Sequence, residues 1–493
     1  MQKKIFRGLS WLLLACMICT TTACNGDTTG ETTDTVETNA EDSNAEAAGG
    51  TLDLPDNLKE KYTGETVTIL TAENILTGPE ELVDEEGNAV AALGEGLYKR
   101  TVAVEEKLGI ELEFIGVDVW GDTQTIARQS INAGSDDYDM VFTCASHQVN
   151  LVNEGLYVPL EDLIFIDLEK PWWNKQYIES VSVIEDKPYI LFGDITYNTI
   201  QRTTCVFFNA NLLESKLGLV PDDLSDLVED GEWTIDKFAE LVNGVYEDNG
   251  NTKNDADDIH GLVTNGAGTF NWMAFSSGIE FTSRDEDGYP VLNLNNETSV
   301  ALCDKLLALL KNNESVYNHT DNLEHVWKFA NGNALFIVNR FFLTGWEQFR
   351  TMNDEYGILP MPKYDESIEG YHSTVEALVQ WGAVPVTSPD LDLVSATAEA
   401  LAYYSRIYST PAYYETTLKL KQTRDDKSME ILDLIMEGRD TDFLFINNLG
   451  GMQNIFVSVF NAGQNNFASI YASSEMSANA TLTKLIDQIE DQQ

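Results

Sequence analysis

The sequence predicts an α/β fold built on a parallel sheet, and three observations carry that expectation. Strand-like and helix-like segments alternate as β-α-β-α-β between residues 66 and 143. Gly109 and Gly134 stand where the two helical patterns must stop. Hydrophobic residues make up 43% of the 493-residue chain and aromatics 10%, enough apolar material for a folded core.

The elements follow in order. The run 66–70 reads as a short strand. Residues 89–108 place Leu93, Leu97, Val104 and Leu108 on one helical side, and 110–117 alternates as a strand. Asp122 suits the N-cap of a helix over 122–133, and 138–143 is a third strand. Ligands of such sheets bind beyond the C-terminal strand ends, here 71–77 and 144–148. Farther on, 171–174 is an aromatic turn and 205–208 a buried strand followed by a helix over 210–217. Thr234 caps a helix over 235–246. Residues 301–311, 396–408 and 429–437 read as helices, and 334–338 as another buried strand.

The N-terminus reads as a leader. Lys3, Lys4 and Arg7 precede an apolar run over 9–19, too short to span a bilayer, which takes about 20 residues. The sequence Thr21-Thr22-Ala23-Cys24 resembles the lipobox of bacterial lipoproteins, with Thr21 where Leu is usual. Cleavage before Cys24 and lipidation of its thiol are expected, with plain secretion as the alternative. Residues 25–50 hold seven acidic residues, six Thr and no Lys, Arg or aromatic. They read as a flexible tether, and acyl chains buried in the bilayer supply the hold on the membrane. Cys16 and Cys19 fall in the leader. Cys144, Cys205 and Cys303 form no disulfide framework and read as small buried residues.

With 81 acidic against 30 basic residues, the net charge is −51. That excludes binding to a phosphate backbone and attraction to anionic lipid. No nucleic-acid partner is expected.

Several ordered segments carry a family resemblance. They are Glu105-Glu106-Lys107-Leu108-Gly109-Ile110, Asp136-Asp137-Tyr138-Asp139-Met140-Val141-Phe142, Glu154-Gly155-Leu156-Tyr157-Val158-Pro159-Leu160, Val206-Phe207-Phe208-Asn209-Ala210-Asn211-Leu212, Trp233-Thr234, Gly332-Asn333-Ala334-Leu335-Phe336 and Tyr356-Gly357-Ile358-Leu359-Pro360-Met361-Pro362-Lys363. In this order the chain resembles the extracellular solute-binding lipoproteins of ABC importers, family 1, the carbohydrate-type group related to maltose-binding protein. The resemblance implies a two-lobed periplasmic-binding-protein-like type II fold with hinge crossovers and a central cleft. Residues 1–23 would be the signal peptide and 24–62 the lipidated Cys and tether. Lobe one would be 63–202 plus 363–409, and lobe two 203–362 plus 410–493. A monomer is expected, working with permease subunits on the outer face of the cytoplasmic membrane, with no cofactor required.

By the same resemblance, the ligand-facing positions are Glu73, Asn74, Ser146, His147, Arg202, Asn271, Trp272, Arg340 and Trp381. Each has a plainer reading. Trp272 and Trp381 could be core, Arg202 and Arg340 an interlobe ion pair, His147 a helix cap, and Glu73 and Asn74 solvated loop residues. Residues 247–258 resemble an EF-hand-type loop, as in some relatives of this fold. Its candidate Ca²⁺ ligands are Glu247, Asn249, Asn251, Lys253 through its carbonyl, Asp255 and Asp258. Thr252 stands where such a loop wants Gly, and position 12 is Asp rather than Glu. The rival function is a secreted glycoside hydrolase using paired carboxylates, and a third reading is a polysaccharide-holding adhesin. No His-Glu-x-x-His, Gly-x-Ser-x-Gly or phosphate loop occurs.

Overall fold

The structure is a computed structural model. It describes residues 40–72, 89–117, 120–251, 254–311, 313–319, 322–418 and 426–490. The segment read as a leader, Cys24, Glu73, Asn74 and Lys253 lie outside the described residues. Residues 44–493 form one compact unit and 1–43 another; only the former is treated below.

Two sheets organise the unit. The strands are β1 Thr66–Ala72, β2 Glu111–Val117, β3 Met140–Cys144, β4 Thr204–Asn209, β5 Tyr246–Glu247, β6 Ile259–Thr264, β7 Thr282–Arg284, β8 Pro290–Leu292, β9 Val316–Asn318, β10 Ala334–Arg340, β11 Tyr356–Leu359, β12 Ser373–Thr374, β13 Gln380–Ala383 and β14 Arg439–Asp440. The first sheet has the order β13-β3-β1-β2, and the second β11-β4-β10-β6-β5 with β9 also on β6. β1 lies parallel to β2 and β3, while β13 runs antiparallel to β3. In the second sheet β4 is antiparallel to both β10 and β11, and β6 is parallel to β10. The expected β-α-β-α-β start is present, with helices Ala89–Leu108 and Trp120–Asn132 as crossovers. Gly109 ends the first at a φ of 72° and Gly134 follows the second at 70°, a backbone state that glycine adopts without penalty.

The chain passes from the first sheet to the second through helix Asn198–Gln201 and returns between β11 and β13. The joining segments lie side by side. β12 pairs with β14, and Thr203 bridges Val375. The Thr204 hydroxyl donates to the Thr374 carbonyl at 2.8 Å.

Part of the segment read as a tether packs on the body: Leu54, Leu58 and Tyr62 are buried, and Lys170 pairs with Asp53 at 2.5 Å. Three large apolar side chains in a polar stretch suffice to dock it. Helix Ser409–Leu418 runs past the expected limit at 409 and packs on helix Ala89–Leu108. Gly96 permits the close approach, since a Cβ there would lie 2.6 Å from the Tyr408 carbonyl oxygen. Cys144, Cys205 and Cys303 are free and buried.

The 171–174 turn is held by a buried carboxylate. The indoles of Trp172 and Trp173 donate to the two oxygens of Glu399 at 3.0 and 2.8 Å. Burial pushes the Glu399 carboxyl up to about 7, outweighing both indole bonds, which lower it.

The acidic loop 247–258 meets protein donors. Asp258 accepts from the backbone N–H groups of Asn249 and Asp255 and from the Tyr246 hydroxyl, at 2.9, 3.1 and 3.2 Å. Glu247 pairs with Lys216, Asn249 accepts from the Asn251 N–H, and the Asn251 amide donates to Asp255. The Lys328 ammonium donates to the carbonyls of Ala256 and Asp258 at 2.8 and 2.6 Å. Burial lowers its pKa to about 8, which leaves it charged at pH 7. Among the described residues no group of three His, Cys, Asp or Glu side chains is placed to hold a metal ion. As arranged, the oxygens of Asn249, Asp255 and Asp258 already accept from protein donors, and an ammonium faces the carbonyls of Ala256 and Asp258, both of which work against a calcium cage there.

Two expected outcomes follow. Glu399 holds its proton in the folded state up to about pH 7 but releases it near 4.3 when unfolded. Its contribution to stability is therefore full below about pH 4.3 and is lost as pH rises to about 7. Denaturant unfolding from pH 4 to 8 should show Glu399→Gln flattening that decline by on the order of 3 kcal/mol; parallel profiles would refute it. For the loop, melting in calcium and in chelator should coincide, and Lys328→Met should lower stability by roughly 1–3 kcal/mol. A calcium-dependent rise in the wild-type Tm would contradict the assignment.

Candidate functional site

The C-terminal ends of the parallel strands in both sheets meet at the returning segment 376–379. In the second sheet, Arg340 ends β10 opposite Thr204, so Arg202, two residues earlier, sits at the same sheet end. Helix Ala267–Phe275 starts just beyond β6 and brings Trp272 there. In the first sheet, β3 ends at Cys144, and helix Ala145–Asn153 begins against the returning chain. Ala145 N–H donates to the Val379 carbonyl at 2.7 Å and Ser146 N–H to that of Ala377 at 3.1 Å. The Gln380 amide reaches the Ala72 carbonyl at 3.1 Å.

Glu376 occupies the centre. Its Oε2 accepts from Arg202 Nη1 at 3.0 Å and pairs with Arg340 Nη1 as well. The Glu376 N–H donates to the Arg202 carbonyl at 2.9 Å, which fixes the carboxylate beside the guanidiniums. Arg340 lies over the Trp272 ring at 4.9 Å and over Phe342 at 4.4 Å, and Arg202 lies over Phe342 at 5.6 Å. These three charged side chains are 11–15% exposed. Burial lowers the Arg340 pKa, and Glu376 opposes that shift.

Desolvating such a group is expensive, and apolar side chains of the same volume often stabilise a fold as well or better. Stability alone is therefore a weak reason to keep two guanidiniums and a carboxylate here. Chemically the cluster offers charged hydrogen-bond donors, a carboxylate acceptor and an indole face.

Of the expected residues, Arg202, Arg340 and Trp272 come together, with Ser146 nearby on the first-sheet side. Ser146 Oγ lies 3.3 Å from Cys144 Sγ. His147 turns toward helix Trp120–Asn132, its Cε1 3.9 Å from where a Cβ of Gly121 would be; its carbonyl accepts from Gln124. Asn271 holds a buried Oδ1 with no partner among the described residues. Trp381 takes the plainer reading: it is 1% exposed and donates to the Tyr177 hydroxyl at 3.2 Å, so its ring packs inside the first-sheet core. Glu376 and Phe342 were not anticipated. One signal could have found Glu376: two arginines at a crossing, if buried, require a carboxylate.

No helix among the described residues is long and apolar enough to cross a membrane. The chain is similar in fold to a cyclo/maltodextrin-binding protein complexed with maltotetraose, with 14% identity, TM-score 0.53, and coverage of 86% of this chain and 97% of that one. It is also similar to an ABC substrate-binding protein from Listeria monocytogenes in complex with cycloalternan, at 13% identity, TM-score 0.51, and coverage of 85% and 99%. UspC of M. tuberculosis gives 15% identity, TM-score 0.53, and coverage of 84% and 99%. No curated relative matches the sequence. The fold is thus that of two-domain periplasmic solute-binding proteins. The family model described as bacterial extracellular solute-binding protein matches residues 99–418, and the chain belongs to that family.

Proposed function

We propose that this solute-binding protein captures a sugar or oligosaccharide between two lobes and delivers it unaltered to the permease of an ABC importer. The observation that carries the proposal is the Arg202–Glu376–Arg340 cluster with Trp272 beside it, where the ends of both sheets converge. Sugars present C–H faces that an indole covers and hydroxyls that charged groups satisfy. Family membership and the sugars named in the similar structures support the same solute class. Ser146, His147 and Asn271 are proposed to complete the lining, with Glu73 and Asn74 following β1. The lobes are proposed to divide near 202 and within 363–379, and closing them about the joining segments is a hinge motion of the kind found in periplasmic binding proteins. Cleavage before Cys24 and lipidation there would hold the protein at the outer membrane face. The family binds solutes, and no catalytic step is assigned.

The test is calorimetry with an oligosaccharide panel, followed by chromatography of the recovered sugar. At least one sugar should bind and be recovered intact. Arg340→Ala and Trp272→Ala should each weaken binding tenfold to a hundredfold, in line with roughly 1.5–3 kcal/mol for a charged hydrogen bond. Cleaved sugar would favour the hydrolase, and unchanged affinity in both variants would remove the site from this cluster.

A further inference from the structure

The far end of the second sheet carries a second candidate contact. Arg340 ends β10 at the cluster, and Ala334 begins it at the opposite end. Seven residues at about 3.3 Å each separate the two ends by roughly 20 Å. At that far end, helix Asn322–Ala330 and helix Glu347–Arg350 border a cavity of about 190 Å³. Trp327, Asn331, Gln348, Asn353 and Asp354 are among its lining.

Three features distinguish it from an ordinary polar dent. Trp327 is 42% exposed, whereas the other tryptophans with described side chains are buried or half-buried. The Trp327 indole N–H and the amides of Asn331, Gln348 and Asn353 make no side-chain hydrogen bond among the described residues. Asp354 is fixed in place, its Oδ2 accepting from the fully buried Asn209 amide at 2.8 Å. Gly332 leaves room for that carboxylate, since a Cβ there would lie 2.8 Å from Oδ2. One exposed indole, three uncommitted amides and a fixed carboxylate therefore share a space smaller than the 300–1,000 Å³ usual for larger ligands.

We propose that this cavity is a second carbohydrate-binding site, holding one pyranose ring of a longer glycan while the cluster binds a chain end. The indole takes the C–H face, and the amides and carboxylate take the hydroxyls, which water must otherwise satisfy. Two contacts on one glycan raise its local concentration at the principal site. The proposal rests on the sugar reading above but fails separately from it.

The experiment is affinity electrophoresis of the whole protein in gels containing soluble starch, xylan or mixed-linkage β-glucan, beside calorimetry with short oligosaccharides. The wild type should be retarded in at least one gel. Trp327→Ala should lose at least half of that retardation while keeping the wild-type melting temperature and oligosaccharide affinity. Arg340→Ala should lose oligosaccharide affinity yet remain measurably retarded. No retardation in any gel, equal retardation of wild type and Trp327→Ala, or abolition by Arg340→Ala would each overturn the second site. Of these, the first two leave the principal site standing if calorimetry still reports oligosaccharide binding.

Discussion

A single carboxylate oxygen, Glu376 Oε2, accepts from two guanidiniums that reach it from the second sheet's end. Glu376 itself lies on the strand-to-strand return that feeds β13 of the first sheet. The backbone pair between Glu376 and Arg202 and the pairing of β12 with β14 hold these joining segments in register. Remove that carboxylate and two nearly buried cations face each other uncompensated, which the low local dielectric makes costly. Glu376 therefore keeps two nearly buried cations compensated at the point where the two sheet ends converge.

The charge of the whole molecule bears on the same point. A chain with net charge −51 concentrates cations around the molecule as a whole and disfavours free anions. A neutral, hydroxyl-rich guest suffers no such penalty. Under the proposed function it would exchange water hydrogen bonds for those of Arg202, Arg340 and Glu376, and it would shift any open–closed balance only by fitting the closed form better. Elsewhere the same surplus of carboxylates is managed internally. Lys328 donates to two carbonyls of the 247–258 loop, and its charge, after burial, helps hold His260 down at about 4.

Much of the first sheet was legible because local signals agree with tertiary structure. Gly109 ends its helix where the pattern stops; beside the second sheet, Thr234 likewise caps the helix at Ile235–Asn243 by accepting from Lys237 N–H. The strand order of the second sheet was not legible. β4 is buried throughout, and such a strand has no alternation to reveal its neighbours or direction. Arg202 and Arg340 stood out as two of only 30 basic residues, whereas Glu376 was hidden among 81 acidic ones. Trp272 and Trp381 look alike in sequence. What separates them is a contact far along the chain, Tyr177 for one and Arg340 for the other.

The most direct measurement is a crystal structure of the protein grown with a sugar that binds in solution. The expected result is the sugar ring against the Trp272 indole, with its hydroxyls on Arg202, Arg340 or Glu376. A sugar bound elsewhere, with Glu376 still bridging the two arginines and nothing beside Trp272, would contradict the central claim.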